Sequence, residues 1–180
     1  MPVIFDHKTH TEVPIDQQRA YLQSHGIHYE FWPVNGVPQH LREKSALSSE
    51  DQQTILDHFR ADLSRLAEQF GYISHDLIVL NPESTPNLEE LLKNFERTHR
   101  HSEDEVRFIV DGEGIFTLTR EGDTFSITVT PGDLISVPEG TEHYFTLTAQ
   151  RNVKAIRLFQ TKEGWVAIYK DEEDTANEAR

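Results

Sequence analysis

The chain has 180 residues, a net charge of -14 at pH 7 with histidine counted neutral, and no cysteine. That length fits one domain with a single core, and the lack of thiols excludes disulfides, zinc ribbons, thiolate catalysis and iron–sulfur clusters, as suits a reducing cytoplasm. The acidity argues against nucleic acid or anionic membrane as partners, which need a basic stripe; no long apolar run or basic-then-apolar leader predicts a membrane span or a secretory signal.

Residues 1–90 read as mixed strands and helices. MPVIFDH is expected to be a short strand, Asp16 to His25 a modest helix stopped at Gly26, and IHYEFWPV a strand ended by Pro33. The clearest helix spans about Glu50 to Phe70. Ser49 and Gln52 offer a capping box, Ile55, Phe59, Leu63, Leu66 and Phe70 recur at helical spacing, and Gly71 supplies the stop. That stripe is a helix face for packing on a core. LIVL at 77–80 reads as a strand, PESTP as a loop, and NLEELLKNF as a short helix with Asn87 as its cap.

From about residue 98 the pattern changes. VRFIV, IFTLT, TFSITV, LISVP, HYFTLT, VKAIRLF and WVAIY are separated by turns rich in Gly and Asp, which points to a small antiparallel barrel or jelly roll over 98–169. The tail KDEEDTANEAR, residues 170–180, is a charge run without leucine, valine or aromatic side chains and reads as solvated and frayed.

Two barrel segments carry chemistry. THRHSEDEVRFIVDGEG supplies His99, His101 and Glu105, and PGDLISVPEGTEH supplies His143. On strands, side chains alternate with period two, so His99 and His101 share a face, Arg107 follows Glu105 inward, and His143 points where Phe145 and Leu147 point. Buried histidines on an apolar strand face need a partner, and one shared metal satisfies them all. Three imidazoles and a carboxylate suit Fe(II), Ni(II), Mn(II) or Zn(II) better than Ca(II) or Mg(II), and four protein ligands leave two positions of an octahedral ion for substrate. The bland alternative is a polar HRH turn and a hydrogen-bonded core His143; four ligands at this spacing weigh against it. His7, His10, His25, His28, His40, His58 and His75 have no ligand spacing.

These segments resemble the paired motifs of the cupin superfamily. The first fits H-x-H-x3-E-x6-G at His99, His101, Glu105 and Gly112, and the second fits G-x5-P-x-G-x2-H at Gly132, Pro138, Gly140 and His143. Lys93 and Leu147 depart from the motif positions usually held by Gly and Asn, and neither is a ligand position. The resemblance implies a mainly β fold, a double-stranded β-helix (jelly-roll barrel) flanked by helices from the N-terminal half. Within cupins, HRHSEDEVRFIVDGEGIF, NFERTH, EHYFTL and KAIRLFQTKEGWVAIY are similar to the acireductone dioxygenase family.

That similarity implies an oxygen-dependent enzyme of methionine salvage with one Fe(II) or Ni(II) per chain, acting as a cytoplasmic monomer on acireductone and O2. The iron form would give 4-methylthio-2-oxobutanoate and formate; the nickel form would give 3-(methylthio)propanoate, formate and CO. Arg107 is the candidate to complement the enediolate, as an always-ionised donor of directional hydrogen bonds. Asp104 is a candidate base near the metal. Phe95, Phe145, Arg157 and Trp165 are candidates for substrate binding, the rings receiving a methylthioalkyl tail. The plainer alternatives are core packing for the aromatic side chains, a surface ion pair for Arg107 and a solvated surface position for Asp104. Two rival functions are a cupin sugar-phosphate isomerase, which needs several cations at the barrel mouth, and a non-catalytic cupin that binds a ligand or metal.

Overall fold

The computed structural model describes residues 2–178, so Met1 of the first expected strand and Ala179 and Arg180 of the expected tail lie outside the described residues. The N-terminal part runs β1 (Val3–Asp6), β2 (Thr11–Glu12), a 3-10 turn (Ile15–Gln17), α1 (Gln18–Ser24), β3 (His28–Phe31), α2 (Gln39–Arg42), α3 (Ser49–His58), α4 (Arg60–Phe70), β4 (Ser74–Leu80) and α5 (Leu88–Phe95). The strand-rich part follows as β5 (His99–His101), β6 (Glu105–Gly112), β7 (Gly114–Arg120), β8 (Asp123–Val129), β9 (Asp133–Val137), β10 (Glu142–Leu147), β11 (Val153–Phe159) and β12 (Ala167–Tyr169), ending in α6 (Lys170–Glu178).

The strands form two antiparallel sheets, ordered β12-β5-β10-β7-β8-β1-β2 and β3-β9-β6-β11-β4. Alternation on each strand sends one set of side chains between them: Ile4, Phe116, Phe125 and Ile127 from the seven-stranded sheet meet Ile109, Ile135 and Ala155 from the five-stranded one. This is the jelly-roll barrel expected from the sequence. The outer face of the five-stranded sheet is buried too, with Phe108, Leu134 and Ile156 packed under Ile55, Phe59, Leu63 and Leu66 of α3 and α4. Apart from Arg107, VRFIV is therefore apolar without alternation, because both faces of β6 are covered.

Several local expectations change. The single helix over 50–70 is two helices, broken at Phe59 (φ -99°, ψ 12°), whose ring packs 4.7 Å from that of Phe108. The capping box sits one residue earlier, with Ser48 accepting from the Asp51 N–H and Asp51 accepting from the Ser48 N–H. Asn87 precedes α5 without a side-chain cap. Only the AIY part of WVAIY is strand, which leaves Trp165 in the connection before it. The tail read as frayed forms α6, where Asp171 and Glu172 pair with Arg97, and Glu173 pairs with Arg100. These acidic side chains meet cations brought alongside by β5, a neighbour that the tail's own sequence does not reveal. No helix among the described residues is long and apolar enough to cross a membrane.

Glu30 ties β3 to α4. Its carboxylate accepts from Trp32 Nε1 at 2.8 Å and from Arg65 at 2.5 and 3.1 Å, and lies 2.9 Å from His28 Nε2. Burial opposes its ionisation, but the hydrogen bonds from Arg65, Trp32 and His28 outweigh that and hold its pKa down to about 2. A depressed carboxyl contributes stability that is present above its unfolded pKa and lost as the pH falls through the folded one. Glu30→Gln should therefore cost about 1–3 kcal/mol at pH 7, and the gap to the parent should close between pH 5 and pH 2. Urea unfolding across that range checks it; a gap that does not change with pH would assign the effect to shape alone.

Candidate metal centre

β5, β6 and β10 turn their alternate residues into the barrel, so His99, His101, Glu105 and His143 are all buried on inward positions. His143 stands opposite His99 in the β10–β5 register. One ligand atom from each of the four lies within 4.8 Å of the others. His101 Nε2 is 2.9 Å and His143 Nε2 is 2.8 Å from the same Glu105 oxygen.

The opposite ring nitrogens decide what this cluster can hold. Nδ1 of His99 lies 2.6 Å from the Arg97 carbonyl oxygen, that of His101 lies 3.0 Å from Val166 O, and that of His143 lies 2.8 Å from Thr141 O. A carbonyl only accepts, so each Nδ1 carries the proton, and in a neutral ring each Nε2 presents a bare lone pair. Bare lone pairs converging on a carboxylate require a positive charge between them. A divalent cation meets that demand, with three imidazoles already oriented by backbone carbonyls. Burial pushes the His99 imidazole down to about 4, which keeps it neutral and ready to donate at neutral pH. Burial opposes the Glu105 charge, yet Arg107 and His143 hold its carboxyl well below the usual range. In return, Glu105 outweighs the burial of His143 and raises its pKa.

Arg107 completes the charge balance from β6. Its Nε donates to Glu105 at 2.8 Å, and its side chain is 5% exposed. Its guanidinium carbon lies 5.0 Å from the Trp165 ring centre and 5.3 Å from that of Phe145. Nη1 is buried without a hydrogen-bond partner. A buried guanidinium N–H with no acceptor is costly, so this atom marks a place for an anionic or carbonyl oxygen.

The four ligand residues and Arg107 line a cavity of about 250 Å³. Of the residues expected to bind substrate, Phe95, Phe145, Arg157 and Trp165 all line it. Phe145 is buried against Phe116, with ring centres 4.9 Å apart, and Phe95 meets its edge. Arg157 is held by Asp76 through two hydrogen bonds, at 2.8 and 2.5 Å, and lies over Trp165. Asp104 is not brought to this cavity: its Oδ1 accepts the Glu139 N–H at 2.9 Å and so fastens the turn before β10. The expected role as a base beside the metal has no geometric support.

The sequence reading passed over Leu91, Asn94, Phe159, Ala167 and Tyr169, which also line the cavity. Leu91, Asn94 and Phe95 share a helical face and were findable by spacing; Tyr169 arrives only through its pairing with His99 across β12 and β5. A larger cleft of about 350 Å³ lies among α3, α4 and β4, but it holds no cluster of three or more metal-ligating side chains among the described residues. Alanine in place of His101, Glu105 or His143 should weaken Ni(II) binding by about 100-fold or more, as read by titration of the apoprotein. Parent-like affinity in any of the three would remove that residue from the ligand set.

Comparison with known proteins agrees with this geometry. The family model described as ARD/ARD' family matches residues 32–167. An acireductone dioxygenase of Bacillus subtilis (strain 168) is 46% identical over 164 residues, covering 91% of this chain and 90% of its own. One of Exiguobacterium sibiricum is 45% identical over 177 residues, covering 97% and 98%. Among solved structures, the acireductone dioxygenase from Bacillus anthracis with a cadmium ion in its active center superposes with a TM-score of 0.90 at 45% identity, covering 94% of this chain and 98% of that one. With a family model spanning most of its length and relatives matched nearly end to end, the chain belongs to the acireductone dioxygenase (ARD/ARD') family.

Proposed function

We propose that this protein is a metal-dependent dioxygenase that cleaves acireductone with O2 in methionine salvage, working in the cytoplasm as a monomer. The observation that carries the reading is the buried His99, His101, Glu105 and His143 cluster beside an unpartnered Arg107 Nη1, inside one small cavity. These four residues would hold one Fe(II) or Ni(II), which when bound supplies Lewis acidity and a template for two substrate oxygens.

The chain's own groups then account for substrate choice. Acireductone binds as an enediolate, and Arg107 offers it a desolvated charge-assisted hydrogen bond from Nη1 while Nε stays on Glu105. Phe95, Phe145 and Trp165 give the apolar walls that a methylthioalkyl tail fits, with sulfur favoured against aromatic rings. Arg157, neutralised by Asp76, serves as a wall of the cavity and a second donor at its edge. Closure by these rings keeps water from the reacting centre. A sugar-phosphate isomerase is the weaker reading, because Arg107 and Arg157 are the cations lining the cavity among the described residues, and each already has a carboxylate partner.

The direct test mixes iron-loaded protein with acireductone under anaerobic conditions, adds oxygen, and identifies the products. Formate with 4-methylthio-2-oxobutanoate is expected; consumption no faster than in buffer would overturn the reading, and metal retention without oxygen uptake would favour a binding cupin. Arg107→Ala should keep its metal and lose about 100- to 1,000-fold in kcat/KM, since it removes charge complementarity and not a ligand. A parent-like value would return Arg107 to an internal ion pair. Exchanging Fe(II) for Ni(II) should redirect cleavage to 3-(methylthio)propanoate, formate and CO, because the same ligand set accepts both ions and they differ in Lewis acidity and redox access. Headspace gas analysis checks this, and CO from both forms or from neither would remove metal control of the product.

A further inference from the structure

Glu103 is a buried carboxylate that the dioxygenase reading leaves unused. The residue is 3% exposed, yet its oxygens turn away from the metal cluster toward the chain that follows β11. Oε2 accepts the backbone N–H of Gln160 at 2.6 Å and of Thr161 at 3.0 Å, and Oε1 accepts the Thr161 hydroxyl at 3.3 Å. These are the first residues of the connection between β11 and β12. Farther along, the same connection carries Trp165, a wall of the cavity, and Val166, whose carbonyl accepts from His101 Nδ1 at 3.0 Å. Gly164 turns the segment with φ +71°, a conformation that side chains other than glycine's resist, and Ala167 then pairs with His101 in register. The segment is thus held at its near end by Glu103 and at its far end by His101, two residues apart in sequence.

We propose that Glu103 is a positioning residue: by gripping residues 160 and 161 it fixes the Trp165–Val166 segment, and through the Val166 carbonyl it sets the orientation of the His101 imidazole. Two adjacent backbone N–H groups are matched to one oxygen of a buried carboxylate, and without it both lose the partner that fastens the segment to the barrel. The proposal rests on the four-residue cluster being the metal site and is independent of which substrate that site takes.

Glu103→Leu removes all three contacts at similar volume. Glu103→Gln keeps an oxygen for the two N–H groups and turns an amide toward the Thr161 hydroxyl, which can accept from it. Exposed Lys162 is a built-in reporter, because trypsin cuts there faster the more readily the segment opens to fit the protease. Glu103→Leu should be cut after Lys162 about tenfold faster than the parent and should bind Ni(II) about tenfold more weakly, while Glu103→Gln should stay within about threefold on both measures. If Glu103→Leu does not fold, Glu103→Asp decides in its place, since it keeps the charge but is too short to reach both N–H groups. Parent-like cleavage after Lys162 would overturn the proposal, and so would a loosened segment with unchanged Ni(II) affinity. Neither readout uses acireductone, so an error in the substrate assignment would appear as an inactive parent with both effects intact.

Discussion

Glu105 sits 3% exposed on the inner face of β6, where a carboxylate without compensation costs several kcal/mol, and much of the site follows from that demand. Arg107 answers it in part from the same strand, and the Nε2 lone pairs of His101 and His143, which face it from the other sheet, leave the rest to a cation. Each imidazole must itself be held with its proton on the far nitrogen. That requirement reaches outward to three separate backbone carbonyls, at Arg97, Thr141 and Val166. One buried charge therefore dictates the course of three connections: into β5, into β10 and into β12. Asp104 secures the second by accepting the Glu139 N–H.

A chain with a net charge of -14 and a site proposed to take an anionic enediolate looks contradictory until charge is resolved by position. Asp171, Glu172 and Glu173 of α6 pair with Arg97 and Arg100 at the surface, where solvent and salt screen them. Inside the barrel, the carboxylate of Glu105 is already balanced by Arg107, and the lone pairs of three imidazoles await a cation. The local field that a substrate meets is set by those few desolvated groups, since fields in a low-dielectric cavity are screened far less than those at the surface.

The sequence made the barrel and its inward ligands readable because both rest on period-two alternation. His99 with His101, and Glu105 with Arg107, occupy one face by covalent geometry alone, and the structure keeps them there. What the chain concealed depends on contacts between distant segments. Phe59 breaks an apparently continuous helix because its ring is required against Phe108 on another element. Tyr169 enters the cavity only through strand pairing with His99, and α6 forms beside arginines some 70 residues earlier in the chain, at positions 97 and 100. Asp104 misled for a related reason. Its place beside a ligand in sequence put it near the metal, but it lies in the turn between β5 and β6, before strand geometry begins, and its carboxylate fastens a neighbouring loop.

The ligand set is divided between the two sheets. Glu105 comes from the five-stranded sheet, and His99, His101 and His143 come from the seven-stranded one. The separation of the ligands is thus the separation of the sheets, and this is fixed by the close-packed side chains between them. Phe116 and Phe145 lie in that layer, with Phe116 6.5 Å from the His143 ring and Phe145 walling the cavity. Gly114 shows how little slack remains, since a Cβ there would come within 2.4 Å of the Phe145 ring. Interiors packed this tightly deform little, so the donor atoms are held at a set spacing before any ion arrives. A bound ion in turn links the sheets and stabilises the barrel by its binding free energy. Packing and coordination are in this way one constraint: the apolar core sets the size of the site, and the site holds the two halves of the core together.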